Sequence, residues 1–67
     1  MGDLTDVIRR LEQIDEELSE LAIDRLRISV EENDAAAASE ERRITRARRS
    51  VEKAAGLLAG MPPGGED

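Results

Sequence analysis

The sequence predicts an all-α fold, an antiparallel hairpin of two long helices. The 67 residues include no Phe, Trp, Tyr, Cys or His, and the dominance of Ala, Glu, Arg and Leu is typical of helical bundles rather than sheets. Apolar residues recur at alternating steps of three and four on both sides of Asn33 and Asp34, a spacing that gives each helix one apolar seam. Because a chain of this length buries only a small core, a partner subunit is expected.

The first predicted helix spans residues 4–32. Asp3 precedes it, and an Asp side chain at this position accepts hydrogen bonds from amides of the first turn. Arg25 is the one charged residue in its apolar seam. We expect this first seam to face the second helix, and it consists of Leu4, Val7, Leu11, Ile14, Leu18, Leu21 and Ile28.

The predicted turn depends on subtle chemistry, because no Gly or Pro occurs from residue 3 to residue 55. Asn33 tolerates the left-handed backbone conformation that ends helices, and Asp34 is a favourable cap for a new helix. One continuous helix over residues 3–59 is the alternative, since the two seams lie only about 60° apart on a straight helix. The hairpin is favoured because pairing the seams places the turn near residues 32 and 33, and the same register sets Arg25 against Glu40.

The second predicted helix spans residues 35–59 and begins with alanine, the strongest helix former. Gly60 is expected to end it. Residues 1–61 are thus predicted to form a single helical-hairpin domain, and residues 62–67, rich in Pro, Gly and acids, a disordered tail. The seam of this helix consists of Ala37, Ile44, Ala47, Val51, Ala54 and Leu58.

Charge is divided between the two predicted helices. The net charge is -6, yet acids dominate the first helix and bases dominate the second. The first helix carries an acidic ridge at helical spacing, whose members would repel each other on a lone helix, and the second carries a basic ridge. In the fold-back register we expect four pairs between the ridges: Asp24 with Arg42, Glu20 with Arg46, Glu16 with Arg49, and Glu12 with Lys53.

A second apolar stripe on the first helix has no partner in this hairpin. Exposed apolar surface of this kind favours association. Two hairpins packed together form a four-helix bundle, and a symmetric homodimer is the expected unit. A helix of another protein is the alternative occupant. The predicted oligomer or partner interface consists of Ile8, Ala22, Ile23, Leu26 and Val30.

The basic ridge is also a candidate anion or nucleic-acid face, and it consists of Arg42, Arg46, Arg49 and Lys53. Nucleic acid is nevertheless disfavoured as the partner, because the net charge is acidic and no aromatic side chain is present to stack on bases. No apolar run approaches the ~20 residues that span a bilayer. We therefore expect no membrane partner and a cytoplasmic location.

Three residues of the second helix, Glu41, Thr45 and Arg48, resemble the first part of the Glu-x3-Ser-x2-Arg-x3-Gln-x3-Asp motif of actinobacterial anti-sigma factors. Those factors are coiled-coil proteins that bind cyclic di-GMP, so the resemblance implies nucleotide binding. Glu52 and Gly56 stand at the last two motif positions and depart from it. A regulatory bundle that binds a small ligand or nucleotide is therefore one alternative function.

Histidine and cysteine are absent, so no metal site, cofactor or catalytic residue is expected. The predicted function is that of a small non-enzymatic helical interaction module, an adaptor or regulatory protein. It is expected to act by coiled-coil self-association and by binding a partner helix. The nucleic-acid-binding hairpin and the ligand-binding bundle remain as alternatives.

Overall fold

The computed structural model describes residues 3–60, which form two α-helices joined by a short turn. Helix α1 spans Leu4–Glu31 and helix α2 spans Ala35–Leu58, and no strand occurs within the described range. The helices pack against each other, which confirms the predicted all-α hairpin and excludes the continuous helix. Each observed helix ends one residue before its predicted end. Residues 1–2, Met61 and the predicted tail 62–67 lie outside the described residues.

Helix α1 begins where the sequence places its cap. The Asp3 carboxylate accepts a hydrogen bond from the Asp6 amide at 2.9 Å, and the Asp3 carbonyl accepts one from the Val7 amide at 3.1 Å. The first bond satisfies an amide that has no backbone partner inside the helix, and the second is the first regular backbone bond of α1. Asp6 adds a negative charge to the positive end of the helix dipole.

The turn is built from the two residues that were predicted to form it. Asn33 adopts the left-handed conformation, with φ of 52°, and the following amide of Asp34 donates to the Ser29 carbonyl at 3.2 Å. This bond closes the last turn of α1. The Asp34 carboxylate then accepts from the amides of Ala36 at 2.9 Å and Ala37 at 3.2 Å. Adjacent residues therefore end one helix and start the next.

The seam between the helices differs in part from the predicted one. Ala22, 7% exposed, and Ala37, 5% exposed, are the buried residues of the described range. Small side chains at these positions let the two backbones approach closely. Around them, the half-buried seam includes Ile8, Leu11, Asp15, Leu18 and Arg25 on α1, and Glu41, Ile44, Arg48, Val51 and Ala55 on α2.

The predicted seams are wrong at several positions that remain exposed: Leu4, Val7, Ile14 and Leu21 on α1, and Ala47 and Leu58 on α2. A repeat of three and four defines an apolar stripe on a helix, but it does not decide which border of the stripe turns toward the neighbouring helix. Helix α2 lies against the border that carries Asp15 and Ala22. The larger aliphatic side chains on the other border are left in contact with water.

The core of the single hairpin is small. No large side chain within residues 3–60 is fully buried. Because the hydrophobic contribution to stability scales with the apolar area removed from water, two helices joined in this way gain little from their own contact. No helix in the described range is long and apolar enough to cross a membrane.

Candidate interaction surface

Three exposed aliphatic side chains form one line along α1, which we call the long stripe: Val7, Ile14 and Leu21. Successive members are seven residues apart, so they lie on one side of the helix. Ile14 is 43% exposed and Leu21 is 44% exposed, so nearly half of each residue is in contact with water. At a rise of 1.5 Å per residue the long stripe extends for about 21 Å.

Helix α2 contributes apolar surface to the same side of the hairpin. Arg25 lies about five turns after Val7, on the side of the long stripe, and its Nε atom is 2.8 Å from Oε1 of Glu40. Ala47 and Leu58 follow Glu40 by about two and five turns, so they share its side of α2. Both are exposed. One broad side of the hairpin, which we call the front, therefore combines aliphatic residues of both helices.

Three further aliphatic residues near the end of α1 are exposed, and we call them the short stripe: Ile23, Leu26 and Val30. Leu26 is 51% exposed. At about 100° per residue, Leu26 lies about 140° from Leu21 around the helix. The short stripe and the long stripe thus point to different sides of α1.

The five residues predicted as an interface are divided by the structure. Ile23, Leu26 and Val30 are exposed and lie together in the short stripe. Ala22 is buried against α2, and Ile8 is half-buried beside α2 at the open end of the hairpin. Those last two residues belong to the contact between the helices of one chain, because the observed seam passes through them.

Among the described residues, two ion pairs join the helices. The predicted pair of Arg25 with Glu40 is confirmed, and a second pair joins Arg48 Nε to Asp15 Oδ1 at 3.2 Å. Arg48 also contacts Glu52 at 3.3 Å within α2. All of these side chains retain partial exposure, so each pair contributes little to stability, on the order of 0–1 kcal/mol. Their main effect is to fix the level of α1 against α2.

The predicted pairs between the acidic and basic ridges are absent from the ion pairs of residues 3–60. Asp24 instead contacts Arg25 and Arg27 of its own helix, each at 3.0 Å. The ridges are turned away from the seam, so they lie on the outer sides of the two helices. All four members of the basic ridge are exposed: Arg42, Arg46, Arg49 and Lys53.

A cavity of about 310 Å³ opens between the helices near their free ends. Its apolar wall includes Leu11, Val51 and Ala55. Its polar wall is acidic, since the carboxylates present are those of Glu12, Asp15 and Glu52. Carboxylates repel the phosphate groups of a nucleotide, so this cavity is electrostatically unsuited to such a ligand.

The residues that resemble the anti-sigma factor motif are engaged with other protein groups. The Thr45 hydroxyl donates to the Glu41 carboxylate at 2.9 Å. Arg48 is held by Asp15 and Glu52. A ligand at this position would have to displace these contacts.

The long stripe was missed as a candidate site because its residues were assigned to the contact between the helices. A signal for it is present in the sequence. The apolar residues in this part of α1 cover more of its circumference than one neighbouring helix occupies. They are Val7, Ile8, Leu11, Ile14, Leu18, Leu21 and Ala22. An apolar face of this width indicates contacts with two helices.

Comparisons with protein-family models, with curated protein sequences and with solved structures find no significant match to this chain.

Proposed function

We propose that this chain is a small non-enzymatic interaction module that pairs with a second copy of itself into a four-helix bundle. The observation that carries the proposal is the distribution of apolar side chains. Within residues 3–60, the contact between the two helices buries only Ala22 and Ala37, whereas the larger aliphatic residues of the long stripe stay exposed. A four-helix bundle buries a face of this kind on each of its helices.

The amount of apolar surface is suited to a dimer. Complete burial of a Leu, Ile or Val side chain is worth about 1.5–3 kcal/mol. Covering the exposed part of each long-stripe residue therefore contributes roughly 1 kcal/mol, and two copies bring six such residues together. This sum is of the same order as the ~4–15 kcal/mol lost in translational and rotational freedom on association. We therefore expect a dimer whose population depends on concentration.

The short stripe provides a separate position for a protein partner. Ile23, Leu26 and Val30 are spaced three and four residues apart, the spacing at which an amphipathic helix contacts a groove or a second helix. Because they lie away from the front, they stay exposed in the proposed bundle. An adaptor or regulatory role is thus supported by two apolar surfaces on one small domain.

Leu21→Asp and Leu26→Asp form a matched pair of variants that tests which stripe binds the second copy. Both residues are exposed leucines of α1, and each change places a charge on an apolar surface. We expect Leu21→Asp to be monomeric, and Leu26→Asp to keep the dimer mass of the natural sequence. Light scattering read with refractive index measures the mass, since the chain has no aromatic absorbance.

The opposite results would contradict the proposed interface. A monomeric Leu26→Asp beside a dimeric Leu21→Asp would assign the second copy to the short stripe. A monomeric natural sequence at all concentrations would refute self-association altogether.

Nucleic-acid binding by the basic ridge is the second candidate function. It is favoured by one observation: Arg42, Arg46, Arg49 and Lys53 take part in no ion pair among the described residues, so their charges are available to phosphates. Binding of a short RNA or DNA duplex should then weaken steeply with salt and should be lost when Arg46 and Arg49 are changed to Glu. The same reversal at Arg9 and Arg10 is the control and should have a smaller effect. No binding at low salt would exclude this function.

A further inference from the structure

The stretches of the two helices that lie at the same level carry opposite charges. The Asp15–Arg48 and Arg25–Glu40 contacts fix this level. Between its two contact residues, α1 carries four acids and no base: Glu16, Glu17, Glu20 and Asp24. Between its own two contact residues, α2 carries three bases and the single acid Glu41, and the bases are Arg42, Arg43 and Arg46.

Some of these charges border the front of the hairpin on its outer edges. Glu17 and Asp24 each follow a long-stripe residue by three positions, and Arg43 and Arg46 lie beside Ala47 at the edge of α2. Arg43 and Arg46 are exposed, and neither contributes to an ion pair within residues 3–60. A second copy packed on the front therefore meets an acidic edge along α1 and a basic edge along α2.

A symmetric dimer that joins two fronts has two possible arrangements. In the first, which we call the same-end arrangement, the two-fold axis runs along the helices. Both turns then lie at the same end, and α1 packs beside α2 of the partner. In the second, which we call the opposite-end arrangement, the axis runs across the helices. The turns then lie at opposite ends, and α1 packs beside α1 of the partner. The apolar surfaces meet in both arrangements, so the charged edges distinguish them.

In the same-end arrangement, residues of α1 and α2 that are level within one hairpin are also level across the interface, because a rotation about an axis along the helices does not shift residues along it. Glu17 is then level with the partner's Arg46, and Asp24 is close to the level of the partner's Arg43. The symmetry produces each pairing twice. It also produces twice a like-charge approach between Arg10 and the partner's Lys53.

In the opposite-end arrangement the basic edge of α2 meets its own copy. The helices then run antiparallel across the interface, so residues near their middles meet their own copies: Arg46 of α2 faces the partner's Arg46, and Glu17 of α1 faces the partner's Glu17. Like charges at this spacing repel.

From this charge pattern, and given the proposed self-association, we infer that two hairpins pack front to front with their turns at the same end and with α1 beside α2 of the partner subunit. The acidic edge of each α1 selects the basic edge of the partner's α2. This is the role that charges flanking the core have in coiled coils, where they set partner choice and orientation more than stability.

Spin-label distances test the arrangement directly. The chain contains no cysteine, so a single introduced cysteine is labelled at one defined site per chain. Glu32→Cys reports on the turn. Its two labels should lie within about 30 Å of each other in the same-end dimer, and about 40 Å or more apart in the opposite-end dimer, because a helix of 28 residues is about 42 Å long.

Glu16→Cys is the control, since it lies near the middle of α1 and gives a short distance in either arrangement. A short distance at both sites supports the inference. A short distance at Glu16→Cys with a long one at Glu32→Cys overturns the inference and leaves the proposed dimer standing. No dipolar coupling at either site overturns both.

Charge reversal gives an independent test, because it changes the affinity of the dimer in opposite directions in the two arrangements. Arg46→Glu should weaken the dimer about tenfold in the same-end arrangement, because attraction is replaced by repulsion at two symmetry-related positions. Adding Glu17→Arg should restore most of the loss. In the opposite-end arrangement Arg46→Glu relieves repulsion and should strengthen the dimer, a result that would refute the inference.

Discussion

At the scale of single residues, Asp34 forms hydrogen bonds that stabilise both the end of α1 and the start of α2. Its carboxylate accepts two amides of the first turn of α2, while its own amide closes the end of α1. We expect Asp34→Ala to lower the free energy of unfolding by about 1 kcal/mol, because the amides lose their acceptor. Circular dichroism at increasing urea concentration measures the change.

Asp34→Ser is the matched control for this prediction. A serine hydroxyl accepts the same amides, so the variant should unfold within a few tenths of a kcal/mol of the natural sequence. Equal destabilisation by Ala and Ser would show that the cap contributes nothing through its hydrogen bonds.

Residues governed by local chemistry could be predicted from the sequence. The caps Asp3 and Asp34 and the left-handed Asn33 depend only on their neighbours along the chain, and all three are observed. The Arg25–Glu40 pair followed from matching the two seams. The Asp15–Arg48 pair could not be predicted in this way, because it forms only when α2 lies on one particular border of the apolar stripe.

At the scale of the helices, the spacing between α1 and α2 depends on alanine. Ala22 is 7% exposed in the seam, and a larger side chain there has no room unless the helices separate. We expect Ala22→Leu to destabilise the protein by about 1–3 kcal/mol, the usual effect of overpacking. Thermal unfolding followed by circular dichroism checks this value.

Ala35→Leu is the control, because Ala35 is exposed at the start of α2 and the same change there adds no crowding. It should shift the midpoint of unfolding only slightly. If Ala22→Leu proved as stable as the control, the helices would not approach closely at this level.

The existence and ends of the helices were predictable because periodicity, caps and turn residues all agree. The face that each helix presents to the other helix was less predictable. Leu11 and Leu18 belong to both the predicted and the observed seams, whereas Ile14 and Leu21 were placed between the helices and are exposed. Periodicity locates the apolar stripe, but the choice of border depends on contacts between residues far apart in the chain.

At the scale of the whole molecule, the predicted ridge pairs show how charge patterns mislead when only one chain is considered. Glu20 and Arg46 were expected to pair within the hairpin, but they lie on its outer sides. The acidic ridge of α1 and the basic ridge of α2 do carry opposite charges. In the inferred bundle part of this complementarity acts between two copies, through Asp24 and Arg46 of the ridges together with Glu17 and Arg43 beside them.

The proposed dimer makes a final prediction about thermal stability. The single hairpin has a small core, so much of the stability of the folded chain should come from association, and stability that comes from association depends on protein concentration. We expect the midpoint of thermal unfolding to rise by about 5 °C for each tenfold increase in concentration, since tenfold corresponds to about 1.4 kcal/mol. Circular dichroism at a series of concentrations measures it.

Leu21→Asp should remove this dependence and unfold at one low temperature at every concentration, because it places a carboxylate on the long stripe. Leu26→Asp should keep the dependence, since the short stripe lies outside the proposed interface. A midpoint independent of concentration in the natural sequence would mean that the hairpin is stable by itself. The exposed aliphatic residues of the front would then be a surface for a different protein rather than for a second copy of this chain.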